Sequence, residues 1–329
     1  MPRMSQLIDP FGRSIEYIRL SVTDRCDLRC FYCMPKGFKD FEEPEDWLSF
    51  DEIERIIRCF TELGTRRVRI TGGEPLVRKN LPDLAHRLAA LPLLDDLSLS
   101  TNATRLARHA ESLAEAGVRR INVSLDTLRP ERFKDITQGK FEKVYDGLMA
   151  AREAGLDPIK INMVIMKGVN DDEVGDMVEF CIQNGFTLRF IETMPVGDTG
   201  RNATDHFVDL QDIRRQLEQQ YSLLPGVMPG GGPARYVQVE GTDLRIGFIT
   251  PMSQHFCDSC NRIRMSVDGT LYLCLGQDHS FELRPLLRDG ISDEELKNII
   301  RKAITLKPEK HEFNEKPGQV IRFMSMTGG

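Results

Sequence analysis

No apolar run in these 329 residues approaches the roughly 18 that a membrane-spanning helix needs. The opening MPRMSQLIDPFGRS lacks the apolar core of a secretory signal. Excess positive charge is missing too: the net charge is −6, which gives no reason to expect nucleic acid or an anionic membrane surface as a partner. The expectation is a cytoplasmic protein, and in that reducing compartment the eight cysteines are not a disulfide framework. Neither G-x-x-x-x-G-K-[ST] nor G-x-G-x-x-G occurs, so a bound nucleotide has to be gripped by side chains. No unit repeats at a constant interval, which excludes a solenoid.

What is present is clustered cysteine. Cys26, Cys30 and Cys33 stand at C-x3-C-x2-C spacing in CDLRCFYC, and Cys257, Cys260 and Cys274 at C-x2-C-x13-C. Outside disulfides, such clusters are metal ligands or redox groups. Each trio is one thiol short of a closed tetrahedral site. For the second trio, His255 and His279 are candidates to close a zinc site, and spacing alone leaves that open. Cys59 and Cys181 fall inside helical patterns and read as core.

Glycines Gly64, Gly117, Gly155 and Gly185 each separate a helix-like segment from a strand-like one, as C-terminal caps do. Six strands are expected at Ile15–Thr23, Arg67–Thr71, Asp96–Ser100, Arg119–Leu125, Ile159–Ile165 and Phe186–Ile191. Helices are expected at Phe50–Leu63, Leu81–Leu91, Leu106–Ala116, Phe141–Ala154 and Asp171–Gln183. Alternating β and α implies a parallel α/β sheet. Each strand carries one apolar and one polar face: Arg19, Ser21 and Thr23; Arg67, Arg69 and Thr71; Ser98 and Ser100; Asn122, Ser124 and Asp126; Lys160 and Asn162; Arg189. Parallel strands rarely expose a face. The expectation is therefore an incomplete (β/α)6 TIM-like barrel around a wet, anionic ligand, over residues 1–199. Residues 200–329 read as a smaller α+β appendage, with GDTGRNATDHF as a loop and a helix near Phe281–Leu287. The tail FMSMTGG would ordinarily fray.

The first trio sits at the C-terminal end of strand one, where barrel chemistry is found. Three thiolates on an iron–sulfur cluster leave one iron open. C-x3-C-x2-C with an aromatic, Tyr32, before the last cysteine resembles the radical S-adenosylmethionine (SAM) superfamily. That resemblance implies a [4Fe–4S] cluster and a SAM site that includes Gly73 and Glu74 of TGGEP, Ser124 and Met194. DRCDLRCFYCMP, RITGGEPL, INVSLD, RFIETMPVG, CDSCNRIR…YLC and the terminal Gly328-Gly329, in this order from about residue 11 to the end, resemble the GTP 3′,8-cyclase family of molybdenum-cofactor biosynthesis. Ser100 stands where that family commonly has threonine.

The narrower resemblance implies a second three-cysteine [4Fe–4S] cluster in the appendage and GTP as substrate. It implies hydrogen abstraction from C3′ followed by closure onto C8, and a glycine pair that enters the active site. The expected GTP grip is Arg19, Arg67, Arg69, Ser100, Lys160, Arg189, Arg262 and Arg264, since arginine holds phosphate bidentately. Implied partners are the enzyme that makes cyclic pyranopterin monophosphate and a cellular electron donor; a homodimer is also entertained. The competing readings are another radical SAM enzyme with an auxiliary cluster, such as a peptide-modifying one, and a zinc-binding scaffold.

Overall fold

Strand β1 (Tyr17–Ser21) and its successors β2 (Arg67–Thr71), β3 (Asp96–Thr101), β4 (Arg120–Ser124), β5 (Ile159–Val164) and β6 (Thr187–Ile191) form where apolar and polar residues alternate. The computed structural model describes residues 6–35, 37–228 and 230–328. Helix Phe50–Glu62 shows how the connecting helices are specified. Ser49 and Glu52 form a reciprocal capping box, and Ile53, Ile56, Ile57 and Phe60 repeat along one buried face. Helices Leu81–Ala89, Phe141–Glu153 and Val174–Asn184 bury an apolar face in the same way but without a side-chain cap, while the expected Leu106–Ala116 helix is a short turn followed by Ala110–Glu115. Gly64, Gly117, Gly155 and Gly185 take φ of 104°, 94°, 75° and 71°, as expected of residues that must leave a helix left-handed.

The sheet is larger than the six strands expected. Beyond β7 (Leu223–Gly226) and β8 (Arg235–Val239), β9 (Arg245–Ile249) lies parallel to β6, and β10 (Arg262–Met265) lies parallel to β1. Two more strands, β11 (Thr270–Tyr272) and β12 (Ser280–Glu282), follow antiparallel. The order is β12-β11-β10-β1-β2-β3-β4-β5-β6-β9-β8-β7, a mixed sheet whose end strands do not pair among the described residues. Among the described residues the C-terminal part therefore extends the sheet at both ends and makes no sheet of its own. Two local expectations are corrected. GDTGRNA is helical (Gly197–Ala203), and the segment near residue 281 splits into β12 and the helix Arg284–Arg288. The helix Pro130–Thr137 was not anticipated, although Pro130 at its first position is a start signal.

Register sorts the two faces. On one, Ile18 pairs across to Val68 and Ile263, and Leu188 to Ile161 and Ile246. These residues join the helices in one continuous buried core. On the other, Arg264, Arg19 and Arg69 fall directly beside one another in a single row. Much of this polar face is covered: Arg69, Asn122, Lys160, Arg189 and Arg264 are all buried, while Ser124 at the tip of β4 is exposed.

Candidate active site

The loop after β1 brings Cys26, Cys30 and Cys33 to one cavity of about 190 Å³. It is held on one side by the turn after β2. The Gly73 amide donates to Thr23 O at 2.8 Å and that of Glu74 to Arg25 O at 2.9 Å. A Cβ on Gly73 would meet Arg25 O at 2.4 Å, and one on Gly72 would meet Thr23 O at 2.3 Å. Gly73 is one of the residues the resemblance places in the SAM site. Both glycines line the cavity, but what they admit closest is the backbone leading into the cysteine loop. On the other side, the amides of Arg29 and Phe31 donate to Thr137 O and Ile136 O at the end of helix Pro130–Thr137.

Burial pushes the Cys26 thiol up to about 12 and the Cys33 thiol to about 11, and it raises Cys30 as well. Among the described residues only neutral donors reach Cys26: the Leu28 amide at 3.4 Å and Asn102 Nδ2 at 3.7 Å. Such thiols ionise when a bound metal group supplies the positive charge. Among the described residues no three His, Cys, Asp or Glu side chains converge on one ion. A single zinc needs all its donors about 2.0–2.3 Å from one point, whereas a cubane attaches each thiolate to a different iron. Three half-buried thiols around one cavity thus fit a cluster better than a lone ion, and the zinc closure by His255 or His279 finds no support.

Around the first cavity stand Tyr32, Ser100, Asn102, Ser124, Asp126, Asn162 and Met194. Tyr32 donates its hydroxyl to Asp126 at 2.6 Å, and Asp126 also accepts from the Val164 amide at 2.9 Å. Burial raises the Asp126 carboxyl to about 6. Glu74, which the resemblance places in the SAM site, is fully buried and stands behind the residues that line the cavity. Its carboxylate accepts from Leu76 N at 3.0 Å, Thr101 Oγ1 at 2.8 Å and Asn102 N at 2.6 Å, bracing the β2 tip to the β3 tip. Ser100 was grouped with the substrate, yet it lines the first cavity beside the cysteines, its hydroxyl buried and unpartnered.

A second cavity of about 130 Å³ is lined by Cys257, Cys260 and Cys274 together with Arg19, Arg69, Arg189, Arg262 and Arg264. Asn162, Ile191 and Met194 line both cavities, so the two share a wall. None of these arginines, nor Lys160, forms an ion pair with a carboxylate among the described residues. Arg189 donates instead to Asn162 Oδ1 at 2.8 Å and to Asn122 Oδ1. Burial first, then mutual repulsion, depresses this group: Arg69 to about 10, Arg264 to about 9, Lys160 to about 7, and Arg19 well below its ordinary value. Cations concentrated at such cost await an anion.

Arg67 and Lys160 do not join them at the cavity wall. Arg67 lies at the opposite end of β2, paired with Glu16 at 3.0 Å, and Lys160 sits beneath, against the Tyr236 ring. Arg264 is already engaged: it donates to Thr327 O at 3.2 Å and to Gly328 O. The tail is correspondingly ordered as helix Met324–Thr327, with Gly328 against the Thr71 side chain. Gly329 lies outside the described residues. Asp126, Asn102 and Asn162 were expected on polar strand faces and tips but were given no role of their own; all three line the first cavity. Sequence reasoning missed Arg322, which donates to Cys274 O at 2.9 Å and Leu275 O at 2.6 Å and stacks on Tyr272. No local pattern marks Arg322.

The family model for the Radical SAM superfamily matches residues 20–181, from β1 into the helix before β6. The protein is a radical SAM enzyme in class. A solved structure of Streptococcus suis SuiB bound to S-adenosylmethionine shares this fold, with a TM-score of 0.63 at 17% identity over 90% of this chain and 73% of that one. The particular family follows from the remainder. A model for Molybdenum Cofactor Synthesis C matches residues 186–313, which hold the second trio. The GTP 3′,8-cyclase of Ectopseudomonas mendocina is 48% identical over 99% of both chains. That of Rhizobium etli is 49% identical over 98% of this chain and 94% of its own. The chain belongs to the GTP 3′,8-cyclase family.

Proposed function

We propose that this chain converts GTP to 3′,8-cyclo-7,8-dihydroguanosine triphosphate, the first step of molybdenum-cofactor biosynthesis, using two cavities that share one wall. The observation that carries this is the row Arg264–Arg19–Arg69, its outer members buried, free of carboxylates among the described residues and beside the second trio. It is a site for a polyanion, and it adjoins the first cavity through Asn162, Ile191 and Met194.

In this reading Cys26, Cys30 and Cys33 hold a [4Fe–4S] cluster, with SAM lying against Tyr32, Gly73, Ser100, Ser124 and Met194. When bound, cluster and SAM supply one-electron cleavage and hence a carbon radical able to remove the 3′ hydrogen of GTP. The chain's own work is orientation and exclusion. Tyr32 and Asp126 fix one rim, Glu74 locks the strand tips, and the tail with Gly328 covers the opening, which keeps water from a reactive centre. Cys257, Cys260 and Cys274 hold a second [4Fe–4S] cluster that receives the guanine end. Arg19, Arg69, Arg189 and Arg262 take the triphosphate, with Lys160 beneath them.

The rims belong to strands from β10 through β9, which supports a sheet curved into a partial barrel. Residues 1–199 then serve mainly SAM, and residues 200–329 serve substrate. A cytoplasmic setting, an electron donor, the enzyme that rearranges the product and a homodimer complete the proposal. Reduced protein incubated with SAM and GTP must yield 5′-deoxyadenosine together with a cyclised nucleotide. Deoxyadenosine without a GTP-derived product would sink the assignment.

A further inference from the structure

Lys307 lies outside the cation row, in the segment that follows helix Asp293–Ile304, and is only 3% exposed. A buried lysine is rare unless paired, and this one has no carboxylate partner among the described residues. Its ammonium is spent elsewhere. It donates to Leu273 O at 2.6 Å, to Arg262 O at 3.1 Å and to Cys260 Sγ at 3.7 Å. Leu273 immediately precedes Cys274, and Arg262 follows Cys260 by two residues, so one ammonium spans both limbs of the second trio. Its own segment is clamped in turn. Arg13, paired with Asp9 at 2.6 Å, donates to Pro308 O at 2.7 Å and to Cys257 O at 2.9 Å.

The two trios differ in this respect. Among the described residues no cation donates a hydrogen bond to a thiol of the first trio, whereas Cys260 meets a buried ammonium directly. We propose that Lys307 is a positioning residue of the second trio, joining its Cys260 and Cys274 limbs and placing a fixed positive charge on the Cys260 sulfur. The proposal rests on the reading of that trio as a cluster site. Hydrogen bonds and charge at a ligand sulfur set the potential of an iron–sulfur centre. An N–H⁺···S⁻ contact withdraws charge from the ligand and makes the centre easier to reduce. It also leaves the open iron more electron-poor, which suits a centre that binds substrate rather than one that gives up electrons. By the same reasoning the first centre, without such a cation, is the stronger reductant.

The test uses the full chain loaded anaerobically, with Lys307→Met and Lys307→Arg beside wild type. Iron and sulfide are counted, and both centres are followed by an EPR-monitored redox titration with and without GTP. The second centre is identified by the change in its signal on adding GTP. The expected result is a more negative midpoint for that centre in K307M, return toward wild type in K307R, and no change in the first centre or in SAM binding. Loss of about half the iron in K307M with retention in K307R would equally support the positioning role. An unchanged midpoint in K307M, or an arginine variant as perturbed as the methionine one, would overturn the proposal. Wild-type protein with iron for a single cluster would overturn instead the reading of the second trio on which it rests.

Discussion

Replacing Arg19 by methionine should move stability and substrate affinity in opposite directions. Arg19 stands between Arg264 and Arg69 in the register of the sheet. Adjacent parallel strands lie about 4.8 Å apart, which puts neighbouring guanidinium groups roughly 6–8 Å apart. At an effective dielectric of about 20, each like-charged pair then costs about 2–3 kcal/mol. Burial adds to this, as the strongly lowered Arg19 ionisation indicates. Methionine removes two such repulsions and keeps most of the packing volume. The net gain for the protein without nucleotide is about 1–3 kcal/mol after allowance for water in the cavity. Thermal unfolding of cluster-loaded protein without GTP should shift upward by a few degrees, at about 2 °C per kcal/mol or less for a chain of this size. GTP binding should weaken by about 2–3 kcal/mol, or 30- to 150-fold, through loss of a charge-assisted contact. SAM binding should be nearly unchanged. Added salt should not mimic the effect, because buried charges are poorly screened. A variant that is less stable without nucleotide and binds GTP normally would refute the claim that this row exists for an anion.

Three further outcomes follow from the same geometry. Cys274→Ser should lose about half the iron and all turnover while SAM still binds; an unchanged iron content would show that Cys274 is not a ligand. Gly73→Ala drives a Cβ to 2.4 Å from Arg25 O, a backbone atom that cannot swing away, so SAM cleavage should fall at least 100-fold with the second centre's iron retained, and near-normal cleavage would contradict it. Glu74 titrates near 7 in the folded protein because burial opposes its charge, against an ordinary 4.5; between these values the folded chain holds a proton that the unfolded chain has released, so stability falls by about 3 kcal/mol as pH rises from 4.5 to 7. In urea titrations across that range Glu74→Gln should flatten the slope, and an undiminished slope would place the proton elsewhere.

The two cysteine trios, the strand positions, the capping glycines and the family resemblance were legible because each is written locally. Spacing along a strand sets which face a residue takes, and the polar faces of β1 to β6 were visible as strict alternation. Three kinds of information were not local. Glu74 and Ser100 sit on strand tips that look equally free to meet a ligand. Only the approach of Thr101 and Asn102 decides that Glu74 faces protein, and only the cavity boundary decides that Ser100 stands with the first trio. Arg67 and Arg69 share a face and a strand, yet one end of β2 points to the cysteine cavities and the other to Glu16.

The sequence by itself determined the chemistry that is available: thiols in threes, cations on one strand face, and no phosphate-binding glycine loop. It did so because ligand type and side-chain period are properties of consecutive residues. The tertiary structure decided which of these groups meet. β10, some 240 residues downstream of β1, pairs beside it in parallel, and that single long-range register sets Arg264 next to Arg19. The same closure draws in Lys307 and Arg322 behind the second trio and the C-terminal tail over Thr71. Contacts of that separation depend on how the whole sheet pairs, so no window of the chain could have displayed them.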